Sequence, residues 1–199
     1  MNKAYDRVEW DFLEAVVRKM GLCDACVSFI QFSVLLNGQP GKKFKPLRGL
    51  WQGDPCHHTY FFIVCEVLSR LIKRATGLGF LDGIQLSVNG PKLTHLLFAD
   101  DTFVFLKVTP DNCRNMSNLL KAYCRASGQQ VSLQKSTVYF SANTPMAMAQ
   151  ELGVNLEMLV VKDPVMYLGV PTVKDDCLIY SFCSSGPATN APTQLFFGG

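Results

Sequence analysis

The chain has 199 residues, of which 48% are hydrophobic and 18% are charged, and this composition is typical of a globular protein and excludes a disordered one. Its 19 Lys and Arg residues against 16 Asp and Glu residues give a net charge of +3, too small to indicate a polyanionic partner by itself. The N-terminal segment is charged and lacks the apolar part of a signal peptide, and the longest apolar run, residues 60–72, is too short to span a bilayer. We therefore predict no membrane anchor.

Helical periodicity dominates the first twenty residues. Asp6 and Glu9 have the spacing of a capping box, which predicts that Asp6 caps an amphipathic helix. Gly21 follows where the glycine of a helix C-terminus is expected. A second, short helix is expected to begin at Asp24.

The next segment indicates a hairpin that leads into a basic loop. Residues 33–36 form a strand-like run that ends at Asn37-Gly38, the dipeptide of a tight hairpin turn, and the partner strand is expected near residues 42–45. The densest group of cations comprises Lys42, Lys43, Lys45 and Arg48. Such a run is usually a solvated surface. Its place directly before a glycine-rich loop, residues 49–55, makes phosphate contact the alternative.

That loop leads into a long predicted helix. Its glycines allow a ligand to approach the backbone closely, and the Gln52 amide offers both a donor and an acceptor. Asp54-Pro55 predicts the helix start, and the helix is expected to run to about Ala75 and to end by Gly77. Its predicted buried residues are Phe61, Val64, Leu68, Leu71 and Ile72.

An acidic pair between two apolar runs is the most informative feature of the sequence. Residues 96–99 and 103–106 flank Asp100 and Asp101, which predicts a β-hairpin with both carboxylates near its tip. Asp is a good turn former, and this accounts for one of the two residues. Two adjacent carboxylates repel each other unless a cation lies beside them, and Mg²⁺ characteristically joins carboxylates to phosphates. A divalent-metal site is therefore the second interpretation.

Two further helices are predicted after the acidic pair. Thr109 as N-cap and Pro110 at the first position predict a helix that ends at Gly128. Thr144-Pro145 predicts another helix, which is expected to end at Gly153.

Strand-like runs lie around these helices. They are residues 84–88 with a turn at Asn89-Gly90, residues 131–133, residues 137–140 and residues 167–170. Lys135, between two of these runs, is in a place where a lysine is normally solvated. From about Lys174 no periodicity remains, and residues 174–199 are predicted to be a disordered tail.

The eight cysteines have no secretory context and are expected to be reduced thiols. Cys23 and Cys26 have zinc-like spacing, and His57 with His58 could complete a set of four ligands. A convincing zinc site needs a supporting motif, and Cys26 also suits a small core position. A zinc module is therefore the less favoured alternative.

Five motifs in a fixed order carry a family resemblance: KAYDRVEW, GLWQGDP, LLFADD, SGQQVSLQKS and YLGVPT. In this order they resemble the reverse transcriptase of LINE-type (non-LTR) retrotransposons, particularly the plant kind, over residues 1–173. The resemblance implies an α+β fold: the palm of a right-hand polymerase, a small antiparallel sheet with helices packed on one face, here without fingers and thumb. It also implies an RNA-directed DNA polymerase that uses an RNA template, a DNA primer and deoxynucleoside triphosphates.

The resemblance implies roles for individual residues as well. Asp100 and Asp101 match the family's catalytic carboxylates, which hold two Mg²⁺ ions against the primer 3′-oxygen and the nucleotide phosphates. The nucleotide-binding positions are matched by Tyr5, Gln52, Gly53 and Lys135. The primer-gripping positions are matched by Tyr167, Leu168 and Gly169.

Departures from the family pattern predict a loss of activity. The pattern Asp-x-x-Lys-Ala-Tyr/Phe-Asp would put a third metal ligand one position before Met1, and Trp51 stands where Arg is usual. We therefore expect a decayed, inactive fragment whose sheet lacks a central strand, has unpaired edges and is marginally stable. A non-catalytic remnant that binds nucleic acid or a partner is the alternative, and residues 174–199 resemble nothing in the family.

Overall fold

The computed structural model describes residues 3–22, 31–51, 55–85, 90–98, 101–161, 166–167, 170–171 and 178–183, and for residue 3, residue 98 and those beyond 161 it describes the backbone alone. The helices are α1 (Lys3–Arg7), α2 (Trp10–Lys19), α3 (His57–Gly77), α4 (Pro110–Ser127) and α5 (Met146–Leu156). The strands are β1 (Phe32–Leu36), β2 (Gln39–Phe44), β3 (Ile84–Gln85), β4 (Lys92–Leu93), β5 (His95–Phe98), β6 (Asp101–Leu106), β7 (Thr137–Phe140), β8 (Leu159–Val161), β9 (Met166–Tyr167), β10 (Val170–Pro171) and β11 (Leu178–Cys183). This mixture of helices and small antiparallel sheets confirms the predicted α+β class. No described helix is both long and apolar enough to cross a membrane.

A five-stranded sheet with the strand order β5-β6-β11-β7-β8 forms the centre of the described chain. Its neighbouring strands are antiparallel, except that β7 and β8 are parallel and are joined through α5. Three two-stranded pairs accompany it: β1 with β2, β3 with β4, and β9 with β10.

Two hydrophobic clusters cover the two faces of this sheet. Along β6 and β7 the buried residues alternate between them, since Val104 and Val138 belong to the larger cluster and Phe105 and Tyr139 to the smaller one. The larger cluster contains buried side chains from all five helices named above. The smaller one contains Ile84 of β3 and the half-buried Leu93 of β4. The described helices therefore supply the cover of one face, and the β3–β4 hairpin contributes to the other.

The predicted capping box at Asp6 is wrong. Asp6 lies inside the short helix α1, and Glu9 precedes α2 without capping it through its side chain. The helix is interrupted because Glu9 is held by distant partners. Its amide donates to the Ser127 carbonyl at 3.1 Å, and its carboxylate accepts from Arg48 Nε at 2.8 Å. The predicted glycine terminus is confirmed, since Gly21 has φ +74° and its amide donates to the Arg18 carbonyl.

The structure also corrects some of the predictions for the middle of the chain. The β1–β2 hairpin turns at Asn37-Gly38, both with positive φ, as predicted, although β2 begins earlier than expected. Helix α3 begins at His57 rather than Pro55, while Asp54 and the helix expected at Asp24 lie outside the described residues. Of the predicted core positions, Leu71 is 37% exposed.

Three predictions for the second half are wrong. Residues 131–133 form no strand, because Ser132 accepts hydrogen bonds from the amides of Lys135 and Ser136 in a turn. Helix α5 continues past Gly153 to Leu156. Instead of one strand at residues 167–170, β9 and β10 form a short antiparallel pair.

The last described segment departs furthest from the sequence prediction. Residues 178–183 were expected to be disordered, but they form β11, which pairs antiparallel with both β6 and β7. These pairings fill the inner edges of β6 and β7, so the expectation of unpaired edges is wrong at this place. Backbone pairing with strands more than thirty residues away produces the order here, and local periodicity does not report such pairing.

Candidate functional site

The tip of the β5–β6 hairpin carries the first candidate site residue. Phe98 of β5 pairs with Asp101 of β6, which confirms the predicted hairpin and puts Asp101 beside its tip. Asp101 is half-buried, whereas the last four residues of β6 are buried on alternating sides of the sheet. Because these four residues are packed in the core, they fix the position of the strand that carries Asp101. Asp100 lies outside the described residues.

Asp101 is flanked by a strand on each side. Across from it are Phe98 on β5 and Cys183 on β11. Because β6 and β7 both run antiparallel to β11, they begin at the same end of the sheet. Lys135 precedes β7 by two residues and is half-buried at that end. With about 4.8 Å between neighbouring strands, the backbones of β6 and β7 are about 10 Å apart across β11.

Tyr5 of α1 is fixed by the beginning of α3. Its half-buried ring stacks on Phe61, with centroids 4.2 Å apart and an angle of 25° between the planes. His57 lies 5.8 Å from the same ring, and His58 approaches it edge-on at 6.2 Å. Tyr5 therefore belongs to an aromatic cluster that joins α1 to the first turns of α3.

The C-terminal end of α4 holds α1 in place. The Gln129 side chain donates from Nε2 to the Ala4 carbonyl at 2.8 Å, next to Tyr5. Gly128, with φ +76°, lies so close to α1 that a Cβ there would overlap the Arg7 carbonyl oxygen. The sequence predicted Gly128 only as a helix end, and neither contact follows from a local pattern. Both residues belong to the SGQQ motif, which was the available signal.

The loop before Gln52 is tied to the same region. The Gly49 amide donates to the Val8 carbonyl, and the Leu50 amide donates to the Tyr5 carbonyl, both at 2.8 Å. The indole Nε1 of Trp10 donates to the Gly49 carbonyl at 2.9 Å. These bonds bring the chain that leads to Gln52 and Gly53 against α1, while both of those residues lie outside the described part.

Ion pairs divide the basic cluster that precedes this loop. Lys45 pairs with Glu14 of α2 at 3.2 Å, and Arg48 pairs with Glu9. Lys42 and Lys43 are exposed on β2. The cluster therefore has a structural half that ties the loop to α2 and a solvent-facing half that is accessible to an anion.

An open aromatic groove of about 570 Å³ is lined in part by Phe44, which follows the exposed lysines on β2. Phe32 is 5.8 Å from Trp51 in an edge-to-face arrangement and 6.3 Å from Phe44 on the neighbouring strand. Trp51 is 66% exposed and Phe44 is 49% exposed. Exposed aromatic faces of this kind are stacking surfaces for planar ligands such as nucleobases.

The described part of the candidate site offers one carboxylate for a metal ion. Asp101 offers a carboxylate, the hard oxygen ligand that Mg²⁺ prefers, and its chemistry fits the predicted ion. Among the described residues, no group of three or more His, Cys, Asp and Glu side chains could hold a metal. Cys23 and Cys26 of the alternative zinc site lie outside this part of the chain, so their role stays a prediction.

The predicted primer-gripping residues are described only in part. Tyr167 is the last residue of β9 and its backbone pairs with Val170 of β10. Leu168 and Gly169 lie between these strands and outside the described residues. The structure brings Asp101 and Lys135 to one end of the sheet and Tyr5 to the end of α4, and it leaves the remaining assignments as predictions.

A half-buried histidine in the β5–β6 hairpin was missed by the sequence analysis. His95 of β5 lies with Nε2 2.8 Å from the Ser69 hydroxyl and Nδ1 2.8 Å from the Thr94 hydroxyl. Burial lowers the pKa of His95, nearby Lys73 lowers it further, and Glu66 opposes the change. His95 thus joins the hairpin to α3 through its contact with Ser69, and its flanking sequence gave no indication of this contact.

These features define an α+β domain that presents a carboxylate at the tip of a firmly packed hairpin. The profile of the family described as reverse transcriptase (RNA-dependent DNA polymerase) matches residues 1–172, and the chain therefore belongs to the reverse transcriptase family. This confirms the reverse transcriptase family that the five motifs predicted, while the LINE type stays a prediction. Members of this family use an RNA template, nucleotide substrates and divalent metal ions.

A curated relative comes from a plant. An uncharacterized mitochondrial protein of Arabidopsis thaliana is 49% identical over 83 residues, a stretch that covers 41% of this chain. The match spans 63% of the relative's length, which is less than two thirds of it.

Proposed function

We propose that this chain is a partial palm domain of the RNA-directed DNA polymerase of a LINE-type (non-LTR) retrotransposon. The observation that carries the proposal is Asp101 beside the tip of the β5–β6 hairpin within a chain of the reverse transcriptase family. The order of the five motifs supports the non-LTR type. In this proposal residues 1–173 carry the palm motifs, and residues 178–183, which resemble nothing in the family, supply the middle strand of the sheet.

Asp100 and Asp101 would hold the divalent ions, which supply charge stabilisation for phosphoryl transfer when bound. Lys135, at the same end of the sheet, would contact nucleotide phosphates. Tyr5, Gln52 and Gly53 would contact the incoming nucleotide, and the segment from Tyr167 to Gly169 would contact the primer. The firm packing of Tyr5 on Phe61 supports a positioning role for its ring against a sugar.

Manganese titration tests the metal part of this proposal. Paramagnetic Mn²⁺ broadens the amide signals of nearby residues even when binding is weak, so Thr102 and Phe103 are expected to broaden first. Asp101→Asn should remove this effect, whereas Asp111→Asn, at an exposed carboxylate in the first turn of α4, should leave it intact. Broadening that is absent from the hairpin, or equal in both variants, would contradict the assignment.

We also propose that the 199-residue chain does not extend a primer by itself. Two adjacent carboxylates hold Mg²⁺ loosely, because this ion requires near-octahedral geometry and gives up its water reluctantly. Primer extension on poly(rA) with oligo(dT) and Mg²⁺ is the assay, with Asp101→Ala as the matched control. Extension by the intact chain that disappears in the control would refute the proposed inactivity and support the polymerase assignment.

A non-catalytic remnant that binds nucleic acid is the second candidate. Lys42 and Lys43 precede Phe44 of the aromatic groove on the same strand, and they favour this candidate because cations and exposed aromatic rings together bind single strands. Fluorescence anisotropy with a single-stranded RNA would test it. Replacing both lysines by Ala should weaken binding and reduce the slope of log K against log salt by about 1.4, the value for two phosphate contacts. Lys19→Ala, at an exposed lysine on α2, is the control.

A further inference from the structure

The middle position of the five-stranded sheet is filled by a segment from far along the chain. The other four strands, β5 to β8, all come from residues 95–161, whereas β11 comes from residues 178–183. Without β11 these four strands form two separate pairs, β5 with β6 and β7 with β8. The sheet is continuous only because β11 lies between them.

The two strands that flank β11 form a gap with matched hydrogen-bonding edges. Six consecutive residues of β11 pair with β6, from Leu178 opposite Leu106 to Cys183 opposite Asp101. Four of them pair with β7, from Leu178 opposite Phe140 to Ser181 opposite Thr137. Since β6 and β7 run in the same direction, one antiparallel strand satisfies both edges at once.

The residues on both sides of the gap are buried, so an occupant of the gap must shield them from solvent. Tyr180 lies opposite Val104 of β6 and Val138 of β7, and both valines have 0% exposure. One residue earlier, Ile179 lies opposite Phe105 and Tyr139, which are 3% and 7% exposed. The two hydrophobic clusters therefore meet at this gap, and its edges are apolar on both faces of the sheet.

The sequence of β11 suits such a position. Leu, Ile, Tyr and Phe fill four of its six places, and these residue types are favoured in strands with two covered faces. A stretch with this composition lacks the charges and prolines that protect an exposed edge strand from pairing. The segment 178–183 is thus built as an inner strand rather than as part of a solvated tail.

We infer that the gap between β6 and β7 is a strand-binding slot, which the chain's own Leu178–Cys183 fills and which an extended peptide of this sequence fills when it is supplied separately. Recognition of this kind uses backbone hydrogen bonds for affinity and alternate side chains for specificity. The slot also has a bearing on the candidate site, because its occupant pairs directly with Asp101. This inference rests on the sheet alone and does not require the proposed polymerase function.

Amide hydrogen exchange of the full chain is the direct test. The amides of residues 178–183 that face β6 and β7 are expected to exchange at least tenfold more slowly than those of an unstructured peptide of the same sequence. Exchange at the rate of the free peptide would overturn the inference. A dimer in which one copy supplies the strand to the other would overturn the assignment of the occupant, and light scattering of the purified chain distinguishes it from a monomer.

Two truncated chains provide matched variants. A chain that ends after Pro187 keeps β11 and should retain the exchange protection of residues 103–106 and 137–140. A chain that ends after Asp176 should lose protection at the amides that face the slot. Full protection in the shorter chain would overturn the inference, because the slot would then be closed without its occupant.

A synthetic peptide of residues 176–185 tests binding in trans. Added to the chain that ends after Asp176, it should restore the lost protection, and a scrambled peptide or one with Tyr180→Pro should bind at least tenfold more weakly, since proline removes a backbone donor from an inner strand. If the shorter chain aggregates, the peptides are added during refolding. Equal recovery of soluble chain with the native and scrambled peptides would then overturn the inference.

Discussion

Replacing Gly128 by Ala should destabilise the chain through two separate effects. Gly128 follows α4 with φ +76°, in the left-handed region, where an L-residue is less stable than glycine by about 1–2 kcal/mol. A methyl group at this position would also overlap the Arg7 carbonyl oxygen and come within 2.7 Å of Glu9 Cγ. The second effect concerns the contact between α4 and α1 and therefore bears on the position of Tyr5.

Hydrogen bonds hold residues 4–9, which lie opposite Gly128, in place. The Glu9 amide donates to the Ser127 carbonyl at 3.1 Å, and the Gln129 side chain donates to the Ala4 carbonyl at 2.8 Å. An added carbon in a well-packed contact of this kind typically costs about 1–3 kcal/mol. The two effects together predict a loss of about 2–5 kcal/mol in the free energy of unfolding.

Two other glycines separate strain from contact. Gly21 and Gly79 have φ of +74° and +77°, and a Cβ at either would meet no atom within 4 Å. Their Ala variants should therefore show the backbone strain alone, about 1–2 kcal/mol. Urea unfolding followed by the fluorescence of the two tryptophans measures all three variants on the same scale.

The difference between the variants decides the interpretation. If Gly128→Ala loses no more than the two controls, within about 0.5 kcal/mol, the contact with α1 is not tight in solution. NMR chemical shifts of the Tyr5 ring give a second readout, because this ring stacks on Phe61 and is sensitive to a movement of α1. Only Gly128→Ala should change them.

Three further predictions concern helix packing, a buried amide and pH. Gly153→Ala should destabilise the chain, because the new methyl would overlap Val160 Cγ2. In a Val160→Ala background the same change should instead stabilise α5 by up to about 1 kcal/mol, and thermal unfolding of the original chain, both single variants and the double variant checks this reversal of sign. Asn112→Ala should lower the free energy of unfolding in urea by about 1–3 kcal/mol, because the buried Asn112 side chain accepts from the Asp82 amide and donates to the Lys107 carbonyl. Asn115→Ala removes one exposed hydrogen bond and should cost less. Because the pKa of His95 is lowered in the folded chain, the unfolded chain binds a proton at this histidine more readily. The free energy of unfolding should therefore fall as the pH drops below the ordinary histidine value of 6.5, by at most about 1.4 kcal/mol per pH unit, and the urea midpoint of His95→Gln should depend less on pH.

Local signals predicted the elements whose boundaries depend on neighbouring residues. Thr109 caps α4 by accepting from the Asn112 amide at 3.2 Å, as its position before Pro110 indicated. The turns at Asn37-Gly38 and at Gly128 adopt positive φ because glycine or asparagine tolerates that conformation. The β5–β6 hairpin formed as expected because two apolar runs separated by a short break are close in sequence and need little loop closure.

Contacts between different elements account for these errors. Glu9 resembles part of a capping box, but Arg48, 39 residues later, holds its carboxylate, and Ser127 holds its amide. Gly153 resembles a helix end, yet it lies inside α5, where the close approach of Val160 requires a residue without a side chain. In each case the local pattern was compatible with two structures, and a contact outside the helix is present in the one that formed.

The candidate site depends on these same distant contacts. Tyr5 belongs to a helix of five residues, too short to be stable alone, and it is held by Phe61 on α3 and by the end of α4 through Gln129. Asp101 is held between Phe98 and Cys183, which lies 82 residues further along the chain. Local sequence therefore identifies the side chains that are chemically suited to the site, while the distances between them are set by the packing of the whole domain. Gly128 is not one of the candidate site residues, but its replacement by Ala is accordingly expected to disturb Tyr5 and the stability of the fold together.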